Sequence, residues 1–225
     1  MLVKNWMKKD IITVDANDSM LEAINLLKKH DIMMLPVMRN GELVGVVTDR
    51  DTKRASASDA TTLEVHELLY VLARIKVQDI MSRPPITVPI DYTLEETAEI
   101  LVENKISGAP VVDQDGRLSG TITQTELFRA MLSVAGLKQR GVQFAFQLED
   151  RPGSIKEVAD IIRKYGGRMA SILTSYERIP EGYRRVYIRM YGVERDKLLE
   201  LTRELKEKAT VLYMVDHREN KREIY

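Results

Sequence analysis

Residues 3–55 align with residues 77–130 once Asp115 is counted as an insertion, and sixteen of the fifty-three paired positions are identical. The pairs include Val3/Val77, Met7/Met81, Thr13/Thr87, Leu27/Leu101, Pro36/Pro110, Gly45/Gly120 and Thr48/Thr123. Average composition would match about three by chance. A unit of this size cannot bury its apolar face alone, so the two copies are expected to pack against each other across a pseudo-twofold cleft. Such a cleft is a natural place for a ligand.

Composition narrows the classes of function. With 34 basic and 34 acidic residues the chain has no net charge, which disfavours nucleic acid or an anionic membrane as partner. There is no cysteine, so a disulfide framework, a thiolate nucleophile and a zinc ribbon are excluded. His30, His66 and His217 are scattered without metal-ligand spacing. The N-terminus has no apolar signal region and no apolar run approaches a membrane span, so a cytoplasmic, soluble protein is expected.

Each copy reads as strand, helix, strand, strand, helix. In the first, Ile11–Val14 is β-favouring and the Asn17–Asp18–Ser19 stretch offers N-caps for an amphipathic helix carrying Ile24, Leu26 and Leu27. Leu35–Met38 and Leu43–Thr48 flank Asn40–Gly41, a two-residue type I′ hairpin signal. The second copy repeats the order through Ile86–Val88, Thr93–Glu103, Ala109–Val112 and Leu118–Thr123, turning at Asp115–Gly116. Between the copies, Ala55–Thr62 has linker composition and Leu63–Ile75 has helical apolar spacing.

A different pattern begins near residue 141. Val142, Phe144, Phe146 and Leu148 alternate with smaller or polar residues, as on a strand with one apolar face. Asp150–Gly153 breaks it, and Ile155, Val158, Ile161 and Ile162 form a helical stripe ending at Gly166–Gly167. Strands at Met169–Tyr176 and Arg185–Tyr191, a helix at Asp196–Glu207 and a strand at Thr210–Val215 complete a β-α-β-β-α-β order, that of the ferredoxin-like sandwich. The end, from His217, mixes both charges and reads as solvated.

The repeated unit resembles a tandem pair of CBS domains. The residues that carry the likeness are Ile12–Val14, Leu35–Val37 and Gly45–Asp51, with Ile86–Val88, Ala109–Val111 and Gly120–Glu126 in the second copy. The later segment is similar to an ACT domain through Leu148–Gly153. With the Ser56–Ala60 and His66–Leu68 linker, the whole chain resembles the acetoin-utilisation regulatory group. The resulting expectation is a mixed α/β (α+β) fold: one CBS domain over 1–60, a linker helix over 61–76, a second CBS domain over 77–135, an ACT domain over 141–217 and a charged tail over 218–225.

The resemblance implies a site for an adenosine-containing ligand at Gly-x-x-Thr/Ser-x-x-Asp. It assigns Thr48 to the phosphate side and Asp51 to the ribose hydroxyls, a bidentate carboxylate suiting two vicinal donors and a helix N-terminus an oxyanion. Arg50, Lys53 and Arg54 are within reach of phosphates. Ile86, Thr87, Ile106 and Ser107 of the other copy would grip the adenine. A second site by the same alignment would use Thr123, Glu126, Ile12, Thr13, Ile32 and Met33. The competing reading is a capping box, which Thr123 and Glu126 fit better than Thr48 and Asp51 do, so two unequal sites are expected. AMP, ADP, ATP, NAD and S-adenosylmethionine are not separated by these residues.

An ACT domain implies an amino-acid site at Asp150, Pro152 and Gly153, but Arg168 stands where the family often has Asn. Asp150 and a Ser154–Glu157 capping box account for the same residues structurally. No catalytic constellation, Walker A loop or nucleophile elbow is present, and Asp113–Gly116 lacks the later ligands of a calcium loop. The expected function is a non-enzymatic regulatory homodimer that binds an adenosyl ligand, with an amino acid as a further candidate, and acts on an unknown regulated protein. A structural adaptor with vestigial sites is the alternative.

Overall fold

The computed structural model describes the backbone of residues 1–59 and 65–225, and its side-chain account omits 56–69. The chain divides into two compact units, Met1–Phe128 and Arg129–Tyr225.

In the first unit, copy one forms β1 (Val14–Asp15), α1 (Met20–Lys29), β2 (Met34–Arg39), β3 (Glu42–Thr48) and α2 (Asp49–Asp59). After α3 (Val65–Arg74) and the short α4 (Val77–Ile80), copy two forms β4 (Val88–Pro89), α5 (Leu94–Glu103), β5 (Gly108–Val112), β6 (Leu118–Thr123) and α6 (Gln124–Val134). The sheets are β1-β2-β3 and β4-β5-β6, each with its first pair parallel and its second antiparallel. Register is the same in both: Val14 faces Val37, and Val88 faces Val111.

The two copies interlock by exchanging the segments that precede them. Lys8 pairs with Thr121 and Ser82 with Val46, and these bridges are equivalent under the sequence alignment. Val77, Ile80 and Met81 accordingly pack into the first copy's core with Val14, Leu27, Leu35, Val37 and Val47. The first repeat does not complete its own core. The first strands are also shorter than expected: after the crossing bridges at Lys8 and Ser82, pairing begins only at Val14 and Val88 and not at Ile11 and Ile86.

Ser19 caps α1 by accepting from the Glu22 N–H (3.2 Å), and Thr93 with Glu96 forms a reciprocal capping box on α5. The Asn40–Gly41 turn has the two positive φ values, +52° and +84°, that a type I′ hairpin requires. In copy two the inserted Asp115 changes the turn, and only Gly116 (φ +78°) is left-handed there. The Asp113 carboxylate closes that loop by accepting from the N–H groups of Asp115 (2.9 Å) and Arg117 (2.8 Å). The linker expected from Ala55 begins later, because α2 continues through Asp59; Ala is the strongest helix former. Residues 60–64, part of the expected linker and linker helix, lie outside the described residues.

The second unit comprises β7 (Val142–Glu149), α7 (Ser154–Lys164), β8 (Arg168–Ser175), β9 (Tyr183–Tyr191), α8 (Leu198–Lys208), β10 (Thr210–Asp216) and β11 (Lys221–Ile224). The sheet order is β11-β10-β7-β9-β8 and every neighbouring pair is antiparallel. Without β11 this is the β-α-β-β-α-β arrangement read from the sequence. Phe144, Phe146, Ile162, Ile188, Met190, Leu201 and Leu205 form its fully buried core. The charged end, expected to be free in solvent, is strand β11 along β10, although most of its side chains remain exposed. The pairing supplies backbone partners that charge mixing alone does not reveal.

Candidate functional site

A cavity of about 540 Å³ in the first unit lies where the copies face each other. Copy one supplies Met33, Met34, Val46, Thr48, Asp49, Arg50, Asp51 and Arg54; copy two supplies Ser82, Pro84, Pro85, Ile86 and Asn104–Gly108. Its size falls within the range of small-molecule pockets.

Thr48 ends β3 and caps α2, which points the first turn of that helix at the cavity. The Asp51 N–H donates to Thr48 Oγ (3.2 Å), while the Thr48 N–H (3.0 Å) and hydroxyl (2.6 Å) donate to one Asp51 carboxylate oxygen. The other oxygen accepts from Arg54 (3.3 Å). Asp51 is 8% exposed yet still lines the cavity. The capping box is therefore real in copy one, where the sequence made it the weaker reading. In copy two Thr123 donates through its N–H (3.1 Å) and its hydroxyl to Glu126, but the N–H returning to Thr123 Oγ is that of Thr125 (3.2 Å), so its box is the less regular. Capping does not separate the copies.

Of the residues assigned to the first site, Thr48, Arg50, Asp51, Ile86, Ile106 and Ser107 line one cavity, and Thr87 is not among the lining residues. Thr87 follows the crossing segment and sits half-buried just before β4. The sequence reading missed Ser82, Pro84, Pro85 and Lys105. The Pro84–Pro85 pair was an available loop signal, and Lys105 follows α5 at φ +55°.

The second set is dispersed. Thr123 and Glu126 cap α6, Ile12 and Ile32 pack on the first copy's core, and Thr13 is exposed. Met33, assigned there by alignment, is 71% exposed and lines the first cavity. Its carbonyl accepts from the Asp49 N–H (3.1 Å), which ties it to the start of α2.

The residues assigned to an amino-acid site are not gathered within one chain. Asp150, Pro152 and Gly153 lie at the β7–α7 turn; Arg168 starts β8 beyond the far end of α7, a helix about 16 Å long for its 11 residues. Gly153 takes φ +88° as N-cap, and Asp150 is engaged by Arg184 (3.5 Å) and the Tyr176 hydroxyl (3.4 Å). Ser154 does not form the expected box with Glu157: it lies inside the helix start and accepts from Arg184 (3.0 Å). Beside the turn, a cleft of about 260 Å³ contains Arg151, Glu157 and Lys208. Arg151 grips Glu157 with two nitrogens (2.8 and 3.0 Å). That bond first, and Lys208 next, hold the Glu157 carboxyl at about 2.

Among the described residues, no group of three or more His, Cys, Asp or Glu side chains could hold a metal ion, and no helix is long and apolar enough to cross a membrane. A CBS domain family model matches residues 3–58 and 77–133. The chain belongs to the CBS-domain family. The matched CBS pair coincides with the interlocked copies around the cavity, and the match ends before the β-α-β-β-α-β unit. A CBS domain-containing protein of Dictyostelium discoideum is 32% identical over 134 residues, 59% of this chain and 92% of that protein. An inosine-5'-monophosphate dehydrogenase of Korarchaeum cryptofilum is 34% identical over 125 residues, but the match covers only 23% of that enzyme. The solved CBS domain pair of protein MJ0100, in complex with 5'-methylthioadenosine and S-adenosyl-L-methionine, is 32% identical, with a TM-score of 0.50 over 58% of this chain and 95% of that one.

Proposed function

We propose that the CBS pair is a non-catalytic sensor of an adenosine-containing ligand, bound in the cavity between the copies. The observation that carries this reading is the meeting of Thr48 and Asp51 from one copy with Ile86, Ile106 and Ser107 from the other around a single volume of ligand size. Asp51 presents a carboxylate to ribose hydroxyls, the first turn of α2 presents N–H groups to an oxyanion, and Ile86 with Ile106 offers an apolar slot for a base. The related MJ0100 pair, which holds two adenosyl compounds, supports the ligand class. A ligand touching both copies favours one arrangement of them over others, and that bias is the signal passed on.

The β-α-β-β-α-β unit is read as an ACT domain that builds a homodimer and passes this signal to a protein partner. The strand order 4-1-3-2 of its first four strands supports that reading. Its internally matched Arg151–Glu157 cleft favours assembly over amino-acid binding.

Thermal unfolding of the full chain tests the sensor. Any compound that binds only the folded protein stabilises it, by about 2.7 kcal/mol at a hundred times its Kd. AMP, ADP, ATP or S-adenosylmethionine is expected to raise the unfolding midpoint by several degrees, and Asp51→Ala to abolish the rise. Indifference of the wild-type chain to every adenosyl compound would leave the adaptor reading standing.

A further inference from the structure

Around the cavity the two copies share equivalent backbone bonds, so their differences in charge can be read position by position. The Asp49 N–H donates to Met33 O (3.1 Å) as the Gln124 N–H donates to Ser107 O (2.9 Å). Lys105 and its equivalent Asp31 both end a helix in the left-handed region, at φ +55° and +49°. The backbone is the same and the charge is opposite. Arg50, second residue of α2, has Thr125 as its counterpart in α6.

Arg50 and Lys105 line the first cavity from opposite copies. The two carboxylates among the cavity's described lining residues are already matched, Asp49 by Lys53 (2.5 Å) and Asp51 by Arg54 and Thr48. Among the described residues, Arg50 and Lys105 are in no ion pair. The described lining thus carries two surplus cations, and an adenosyl ligand without phosphate would leave both unanswered. Resting on the adenosine-ligand reading above and refining it, we propose that this cavity selects a phosphorylated adenosine over a neutral or sulfonium one. Arg50 and Lys105 are the residues that determine this choice. A phosphate between them bridges the two copies electrostatically, so charge recognition and the packing of the pair are one event.

Titration calorimetry of the full chain with AMP, adenosine, 5'-methylthioadenosine and S-adenosylmethionine tests this directly. AMP is expected to bind at least about tenfold more tightly than 5'-methylthioadenosine, two partly exposed cations each adding a modest attraction to a dianion. The advantage should shrink as salt is raised, because exposed charges are screened. The variants Arg50→Thr and Lys105→Asp each install the residue found at the equivalent position of the other copy, and together they should bring the ratio of the two affinities to near or below one. A cooperative thermal transition and unchanged far-UV circular dichroism show that these variants are folded. Equal affinity for AMP and 5'-methylthioadenosine in the wild type, or a ratio unmoved by both substitutions, overturns the selectivity while leaving the adenosine site intact. No binding of any of the four compounds overturns the site itself, and the selectivity with it.

Discussion

Asp51 has two demands on one carboxylate: it completes the cap of α2 and it faces a cavity. Its short side chain satisfies Thr48 at one oxygen and Arg54 at the other, so a ribose has to compete for these partners or share them. Asp216 in the second unit shows a carboxylate with only a structural role. It is 1% exposed, and it accepts from Arg195 and from the N–H groups of Arg218 (2.9 Å) and Glu219 (3.4 Å). Burial alone would raise this carboxyl; the Arg195 bond and the two backbone donors outweigh burial and hold it below its ordinary value of 3.8. A depressed carboxyl stabilises the fold fully above its unfolded pKa and loses that contribution as pH falls through the folded one. Urea unfolding should therefore show the wild type losing stability below about pH 4 more steeply than Asp216→Asn, which at neutral pH should be less stable by about 2 kcal/mol. Matching acid slopes in the two proteins would contradict this account. The aspartate's chemistry was invisible in the sequence, because its partners arrive from the α8 side of the chain and from the last turn.

Elements were legible where a local signal set them. The capping stretch ending at Ser19, the Asn40–Gly41 turn and the alternation of Val142–Leu148 all lead to the structure formed. The first strands and the tail were not, because crossing segments and edge pairing are decided by distant backbone. The same crossing accounts for the repeated glycines. A Cβ on Gly120 would stand 2.7 Å from the Lys8 carbonyl oxygen and 2.8 Å from Met7 Sδ; on Gly45 it would stand 2.6 Å from Met81 Sδ and 3.0 Å from the Ser82 carbonyl oxygen. Gly45 and Gly120 are identities of the repeat because each lies under the segment contributed by the other copy. Gly120→Ala is expected to cost about 1–3 kcal/mol, since backbone must move. Gly45→Ala should cost less, because its closest obstacle is a flexible thioether. Denaturant midpoints of the two variants check the order, and an unchanged midpoint for Gly120→Ala would deny the close crossing.

At the scale of the whole molecule, the internal repeat predicted a two-copy module and a cleft, and six of the seven residues assigned to the first site line one cavity. Alignment served the second set less well. It transfers positions but not charge or cavity shape, so Met33 fell into the first cavity and Asp31 stands where Lys105 does in the other copy. The likeness between copies fixes the frame, and the differences within it give the ligand site its character. A crystal structure of the full chain grown with AMP tests this most directly. The account predicts one nucleotide in the cavity, with its ribose hydroxyls on Asp51, its base between Ile86 and Ile106, and its phosphate beside the first turn of α2. AMP bound elsewhere on the chain, with this cavity empty, would contradict it.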